Sequence, residues 1–188
     1  MSASKNKKII FGHREISDCI SGIVSMVCDE FDVKSMRNLA LIGIQQKGVP
    51  LAEKIKEGVE LRKKIKLPLG KIDISMYRDD IGAGRSISKT YETDIPFNVE
   101  GKIIILVDDV IHTGRTIRAA LDAITDYGRP ALIRLAVLID RGGREFPIGA
   151  DYVGLTKKID NEHKISVVWN CPEKGDSVWL YKKSKRGT

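Results

Sequence analysis

Three short apolar runs, Leu39–Ile44, Lys102–Val107 and Leu132–Ile139, alternate along the chain with stretches that carry apolar residues on one side only. A run with no polar alternation suits a strand covered on both faces, and strands separated by helices must lie parallel, joined by right-handed crossovers. That alternation predicts an α/β fold with an open, mostly parallel sheet flanked by helices. Between His13 and Phe31 the residues Ile16, Cys19, Ile20, Ile23, Val24, Val27 and Phe31 recur every three to four positions, which predicts an amphipathic helix over one sheet face. A second helix follows the loop Gln45–Gly48, with Pro50 in its first turn and Leu51, Ile55 and Val59 on one side. Ile117, Ala120, Leu121 and Ile124 mark a third.

Ile72, Ile74 and Met76 alternate with polar neighbours and read as a further strand. Period then disappears from Arg78 to Pro96, a polar stretch rich in Gly, Ser and Thr, expected to be a flexible arm or lid. Short strands are expected at Tyr152–Leu155, Ile165–Trp169 and Val178–Tyr181. No repeat, low-complexity segment or interdomain linker interrupts the 188 residues, so they read as one domain, residues 1–188.

The formal charge of +7 raises the question of a nucleic-acid partner. Lys5, Lys7, Lys8, Lys182, Lys183, Lys185 and Arg186 account for all of it. Residues 9–181 are therefore neutral, and the ends, 1–8 and 182–188, are expected to be mobile basic tails. Arg62, Lys63, Lys64 and Lys66 form a local patch that suits a solvated helix end. No apolar run approaches the ~20 residues that cross a bilayer, no signal-like segment follows the N-terminal lysines, and no membrane partner is expected. Cys19, Cys28 and Cys171 lack the close Cys/His pairing of a zinc site. A cytoplasmic location is expected.

The segment IIILVDDVIHTGRTIRAAL, Ile103–Leu121, carries the chemistry. An apolar strand delivers Asp108 and Asp109 at its C-terminal end, and a Gly/Thr turn feeds a helix. Ligands of open parallel sheets bind beyond such strand ends. The loop Val110, Ile111, His112, Thr113, Gly114, Arg115, Thr116 can turn backbone N–H groups and hydroxyls toward a phosphate at a helix N-terminus. The carboxylates would repel a second anion but accept hydrogen bonds from vicinal hydroxyls, a combination suited to a ribose 5-phosphate. For the acidic pair alone, a turn or helix-cap reading serves as well.

The whole string resembles the phosphoribosyl diphosphate signature of type I phosphoribosyltransferases, an apolar strand, two acids and TGxT. With IGIQQKGVPLAEKI (Ile42–Ile55), KIDISMYRDDI (Lys71–Ile81) and DYGRPALIRLAVLIDRGGREFPIGADYVG (Asp126–Gly154), the chain resembles the family of pyrimidine operon regulators with uracil phosphoribosyltransferase activity. The resemblance implies the type I phosphoribosyltransferase fold, with a flexible β-arm and a small hood, assembled as a homodimer or larger homo-oligomer. It implies that Asp108 and Asp109 bind the ribose hydroxyls of 5-phosphoribosyl 1-diphosphate directly or through Mg2+, with Asp140 helping to hold the metal. Val110–Thr116 would take the 5-phosphate, and Gln46, Lys47 and Gly48 the diphosphate, in a loop that often carries a cis peptide in this class. Arg78 and Arg85 would close over diphosphate from the arm, and Arg141 and Arg144 would line the diphosphate or base side. His112 would assist proton removal or contact the base edge. The implied reaction joins uracil to the ribosyl group, giving UMP and diphosphate.

Three positions depart from the family pattern. Lys47 and Gly143 stand where Arg and His are usual, and Ser21, Gly22 and Ser25 occupy the first-helix positions of a Thr-Arg pair and a downstream His. Two further readings therefore stand beside uracil salvage: UMP-dependent regulation through a pyrimidine-leader RNA, and a purine phosphoribosyltransferase.

Overall fold

The computed structural model describes residues 7–78, 91–172 and 174–182. The apolar runs form β2 (Leu39–Ile44), β4 (Ile103–Ile111) and β5 (Leu132–Asp140), flanked by β3 (Leu69–Ile72) and β6 (Tyr152–Thr156). All five pair in parallel in the order β3-β2-β4-β5-β6. Every residue of β2 is buried, as expected of a strand covered on both sides. Helices α1 (His13–Glu30) and α3 (Gly48–Lys63) cover one face, where Ile23, Val27, Leu51 and Ile55 meet Leu41, Ile105 and Val107. Helix α4 (Arg115–Thr125) covers the other, setting Ile117, Ala120 and Ile124 against Ile42, Ile104 and Leu106. The short α2 (Val33–Met36) joins α1 to β2, its Asp32 N-cap accepting from the Ser35 N–H at 2.7 Å. This is the doubly covered parallel sheet predicted from the alternation of runs.

A second, antiparallel sheet of order β1-β8-β7 is built from β1 (Lys7–Phe11), β7 (His163–Cys171) and β8 (Gly175–Lys182). This is the hood. The buried Asp176 ties it to the helices, accepting from the Asn170 N–H at 2.9 Å, with Lys54 of α3 at 3.1 Å and His13 of α1 at 3.6 Å.

Two expectations are corrected. The strand read through Ile72, Ile74 and Met76 ends at Ile72, and Ser75–Tyr77 is a 3-10 turn. Asp73 pulls the chain out of the ladder, since its carboxylate accepts from the Ser75 N–H and hydroxyl at 3.0 and 2.6 Å and from the Tyr91 N–H at 2.7 Å. The basic tails are also shorter than expected, because Lys7 and Lys8 belong to β1 and Lys182 to β8. Ladder bonds to β8 hold them across most of the sequence length. Most of the expected arm, residues 79–90 with Arg85, lies outside the described residues. No helix among the described residues is long and apolar enough to cross a membrane.

Glu60 fastens the end of α3. Burial alone would raise its carboxyl, but the Leu67 N–H at 2.8 Å, Lys56 at 2.9 Å and Lys66 at 3.1 Å bring it down to about 2. A carboxylate lowered by folding stabilises the folded state above its unfolded value, and that contribution disappears as pH falls through the folded value. The parent should thus lose stability between about pH 4.5 and 2 more steeply than Glu60→Gln, measured by urea midpoints across that range. Equal slopes would show that Glu60 has no such role.

Candidate active site

β4 is the central strand, and its hydrophobic half fixes where its polar end emerges. Asp108 is buried at that end, and its Oδ1 accepts the Asp109 N–H at 2.9 Å. Burial pushes the Asp108 carboxyl well above the usual carboxylate range, the Asp109 carboxylate adds to the rise, and Arg78 opposes it. Burial likewise raises Asp109, against the pull of Lys47. Two adjacent acids are thus held short of compensating positive charge. A cation or hydroxyl donors placed between them would relieve that deficit.

Beyond the acids the strand continues further than the sequence suggested. Val110 and Ile111 still pair with Ile139 and Asp140, and the Ile111 side chain is buried in the core. The loop proper is His112–Gly114, and α4 begins at Arg115. Gly114 takes φ +91°, and a Cβ there would lie 3.2 Å from Phe146, so both the backbone and the space call for glycine. The Thr113 carbonyl accepts from the N–H groups of Glu145 and Phe146, each at 2.9 Å, which pins the loop. A cleft of about 540 Å³ opens here, lined by Val110 to Ile117 with Arg78, Glu145 and Lys164. Arg115 reaches Glu145 at 2.6 Å and covers the Phe146 ring.

The β2–α3 turn lies against the same strand end. The peptide joining Gln45 and Gln46 is cis. Gly48 owes its place to close approach, because a Cβ there would fall 2.3 Å from the Val107 carbonyl oxygen, next to Asp108. Gln46 is exposed, while Gln45 donates to the Glu92 carbonyl at 3.2 Å. Lys47 reaches the hood, its Nζ donating to Ser166 Oγ at 2.6 Å, while Trp169 Nε1 donates to the Lys47 carbonyl at 3.0 Å.

Three residues expected at the ligand are committed elsewhere. Arg141 is buried, and its Nη2 donates to the carbonyls of Ile159, Asp160 and His163 at 3.1–3.4 Å, which closes the connection into β7. Arg144 donates to Asp140 at 2.7 Å and to the carbonyls of His112 and Ile148, each at 2.8 Å. Asp140 accepts from Arg144 and from the Gly142 N–H, so its carboxylate braces the loop. Gly143, with φ +76°, lies under His112, and a Cβ there would come within 2.9 Å of His112 Nε2. The glycine at 143 and the imidazole at 112 are therefore a matched pair. Lys164, Ser166 and Trp169 had no motif to announce them. Only the alternation of β7 marks which of its residues leave the core.

A phosphoribosyl transferase domain model matches residues 14–171. The bifunctional protein PyrR of Roseiflexus sp. is 45% identical over 159 residues, 82% of this chain and 87% of the relative. That of Picosynechococcus sp. is 43% identical over 173 residues, 92% of this chain and 96% of the relative. The chain belongs to the PyrR family of phosphoribosyl transferases. The fold agrees: a crystal structure of the hypoxanthine phosphoribosyltransferase of Trypanosoma cruzi superposes with a TM-score of 0.69 at 20% identity, covering 94% of this chain and 97% of that one. A second structure of that enzyme gives 0.72 at 19% identity, covering 97% and 94%. In this PyrR-family chain, the signature segment is the one that lines the cleft.

Two predictions follow from the geometry. Gly48→Ala should lower stability by about 1–3 kcal/mol in urea unfolding, because the added methyl overpacks a backbone contact. An unchanged midpoint would contradict the close approach. Asp108→Asn keeps an oxygen for the Asp109 N–H and removes the charge that burial disfavours. Because folding raises this carboxyl, the parent loses stability as pH rises above the unfolded value. The variant should be the more stable protein at pH 8, with the difference shrinking toward pH 4. A variant less stable at pH 8 would overturn the electrostatic account.

Proposed function

We propose that the chain transfers the ribosyl 5-phosphate group of 5-phosphoribosyl 1-diphosphate to N1 of uracil, giving UMP and diphosphate. The carrying observation is the acid pair at the end of β4, Asp108 buried and Asp109 half-buried, beside a cleft at the N-terminus of α4. The α4 N-terminus, the Thr113 and Thr116 hydroxyls and Arg115 hold the 5-phosphate. Asp108 and Asp109 accept hydrogen bonds from the sugar hydroxyls, which supply the positive partial charge that the pair lacks. Diphosphate departs as the bond from C1 of the sugar breaks and the bond to N1 forms. Lys47 and Arg78 neutralise that departing charge, and Lys47 gives up Ser166 to do so. His112, lodged over Gly143, accepts the N1 proton or fixes the base edge.

The acid pair also fits Mg2+, which takes one or two carboxylates and completes its shell with water and phosphate oxygens. Among the described residues no cluster of three or more His, Cys, Asp or Glu exists that could enclose a metal by itself. Asp108 and Asp109 would hold the ion, and when bound it supplies positive charge to the diphosphate. Arg85 of the arm belongs to the same proposal. A regulatory role accompanies the enzyme: the relatives are described as bifunctional, and UMP-dependent binding of a pyrimidine-leader RNA is the second activity we assign.

With Mg2+ and 5-phosphoribosyl 1-diphosphate, the protein should convert uracil with a kcat/KM at least about tenfold above that for hypoxanthine, guanine or orotate. Faster turnover of a purine would overturn the choice of base. Replacing both Asp108 and Asp109 by Asn should lower kcat/KM by about 100-fold or more.

A further inference from the structure

Two side chains of β7 hold the same residue of the β2–α3 turn. Lys47 Nζ donates to Ser166 Oγ at 2.6 Å, and Trp169 Nε1 donates to the Lys47 carbonyl at 3.0 Å, so the hood grips both the side chain and the backbone of one lysine. Along β7, Val167 is buried in the core and Ile165 packs against it, while Lys164 and Ser166 alternate onto the other face. Lys164 lines the cleft at the N-terminus of α4, so this face of β7 is turned toward the site. The strand is anchored beside the turn. The Asn170 N–H donates to the buried Asp176 carboxylate, which Lys54 of α3 reaches at 3.1 Å, and the Lys54 ammonium lies 5.8 Å from the centre of the Trp169 ring. The turn itself is fixed by Gly48 against the Val107 carbonyl. What can move is the half-buried, four-carbon stem of Lys47, with an ammonium at its end. That ammonium also acts on Asp109 at the end of β4, whose carboxyl it pulls down against the effect of burial.

We propose that Ser166 is a positioning residue for the diphosphate end of the site: it gives the Lys47 ammonium a resting partner on the hood, and thereby limits how tightly the β2–α3 turn holds diphosphate. The proposal rests on the transfer reaction above, in which Lys47 meets the departing diphosphate, and adds the residue that sets the strength of that contact. An ammonium without such a partner would bring its full attraction to an anion. One already bonded to a hydroxyl brings the difference between a charge-assisted bond to diphosphate and a bond to a neutral oxygen. The bond to Ser166 is broken once, when the diphosphate group enters, so its cost falls equally on bound substrate, transition state and product. It therefore acts on KM and on diphosphate affinity, and not on kcat. A lysine suits this exchange, since a point charge on a flexible stem can pass between single acceptors. The Trp169 bond already holds the turn backbone, which leaves the serine free of that task.

Isothermal titration calorimetry of the full chain with inorganic diphosphate and Mg2+, together with KM and kcat for 5-phosphoribosyl 1-diphosphate at saturating uracil, tests the proposal. Ser166→Ala should bind diphosphate about three- to tenfold more tightly than the parent. Its KM should fall by the same factor with kcat unchanged, which also shows that it folds. Ser166→Thr keeps the hydroxyl and should match the parent. Lys47→Met should weaken diphosphate binding about tenfold, and adding Ser166→Ala to it should change neither Kd nor KM, because the serine acts through the ammonium. If the parent binds diphosphate and Ser166→Ala binds it equally well or more weakly, the role of Ser166 is wrong while the transfer reaction stands. A gain in affinity that persists in the Lys47→Met background would likewise overturn the proposal, since the effect would not pass through the lysine. A change in kcat with KM untouched would place Ser166 in the chemical step and overturn the positioning role. A parent that binds neither diphosphate nor 5-phosphoribosyl 1-diphosphate sinks this proposal and the transfer reaction together.

Discussion

Two adjacent carboxyl groups at the end of a central strand, Asp108 buried and Asp109 half-buried, are unfavourable in isolation, and much of the surrounding structure is arranged to keep them there. The apolar half of β4 is locked between two hydrophobic layers, so Asp108 and Asp109 cannot withdraw toward solvent without unzipping the middle of the sheet. The β2–α3 turn closes on the same point, with Gly48 against the Val107 carbonyl and Lys47 brought near Asp109. On the opposite side Arg144 grips Asp140 and the His112 and Ile148 carbonyls, which braces the loop leading into α4. The cost that folding places on the acid pair becomes binding preference for a ligand that brings hydroxyls or a cation, since such a ligand relieves what folding left unfavourable.

That arrangement explains why some of the site was legible in the sequence and some was not. Strands β2, β4 and β5 announce themselves because both faces are buried, and the acid pair stands out because it breaks an apolar run. The resemblance to a known signature then singles out the turn into α4 as the proposed phosphate loop. What a string of residues does not carry is the direction of a long side chain. Arg141, Arg144 and Asp140 have the right charges for a ligand, yet their hydrogen bonds close loops inside the protein. Local hydrogen bonding also defeated the period-two pattern at Ile72–Met76, where the Asp73 carboxylate captured the N–H groups that a strand would have used. β1 was hidden for a different reason: its partner lies at the other end of the chain, and no short-range pattern reports so distant a pairing.

The hood is where the unreadable part of the sequence acquires meaning. Its inner face is ordinary core, but its strand β7 runs along the β2–α3 turn, so Trp169 and Ser166 both contact Lys47. Lys47 thereby carries one charge with two claimants, the hood hydroxyl on one side and the acid pair with its ligands on the other. In the reaction proposed above, diphosphate competes for that ammonium against a neutral hydroxyl, and the charge-assisted contact is the stronger. On that proposal diphosphate releases one of the bonds between the turn and β7, while Trp169 keeps the backbone in register.

The same strand presents Lys164 and Ser166 on the face that holds Tyr181 and Trp179. Lys164 of that face also lines the cleft, so the hood face and the cleft share a strand. Coupling between two sites requires a difference in contacts between two states, not proximity alone. On the reading proposed above, that difference has a named carrier, the Lys47–Ser166 bond, which Lys47 gives up to reach diphosphate.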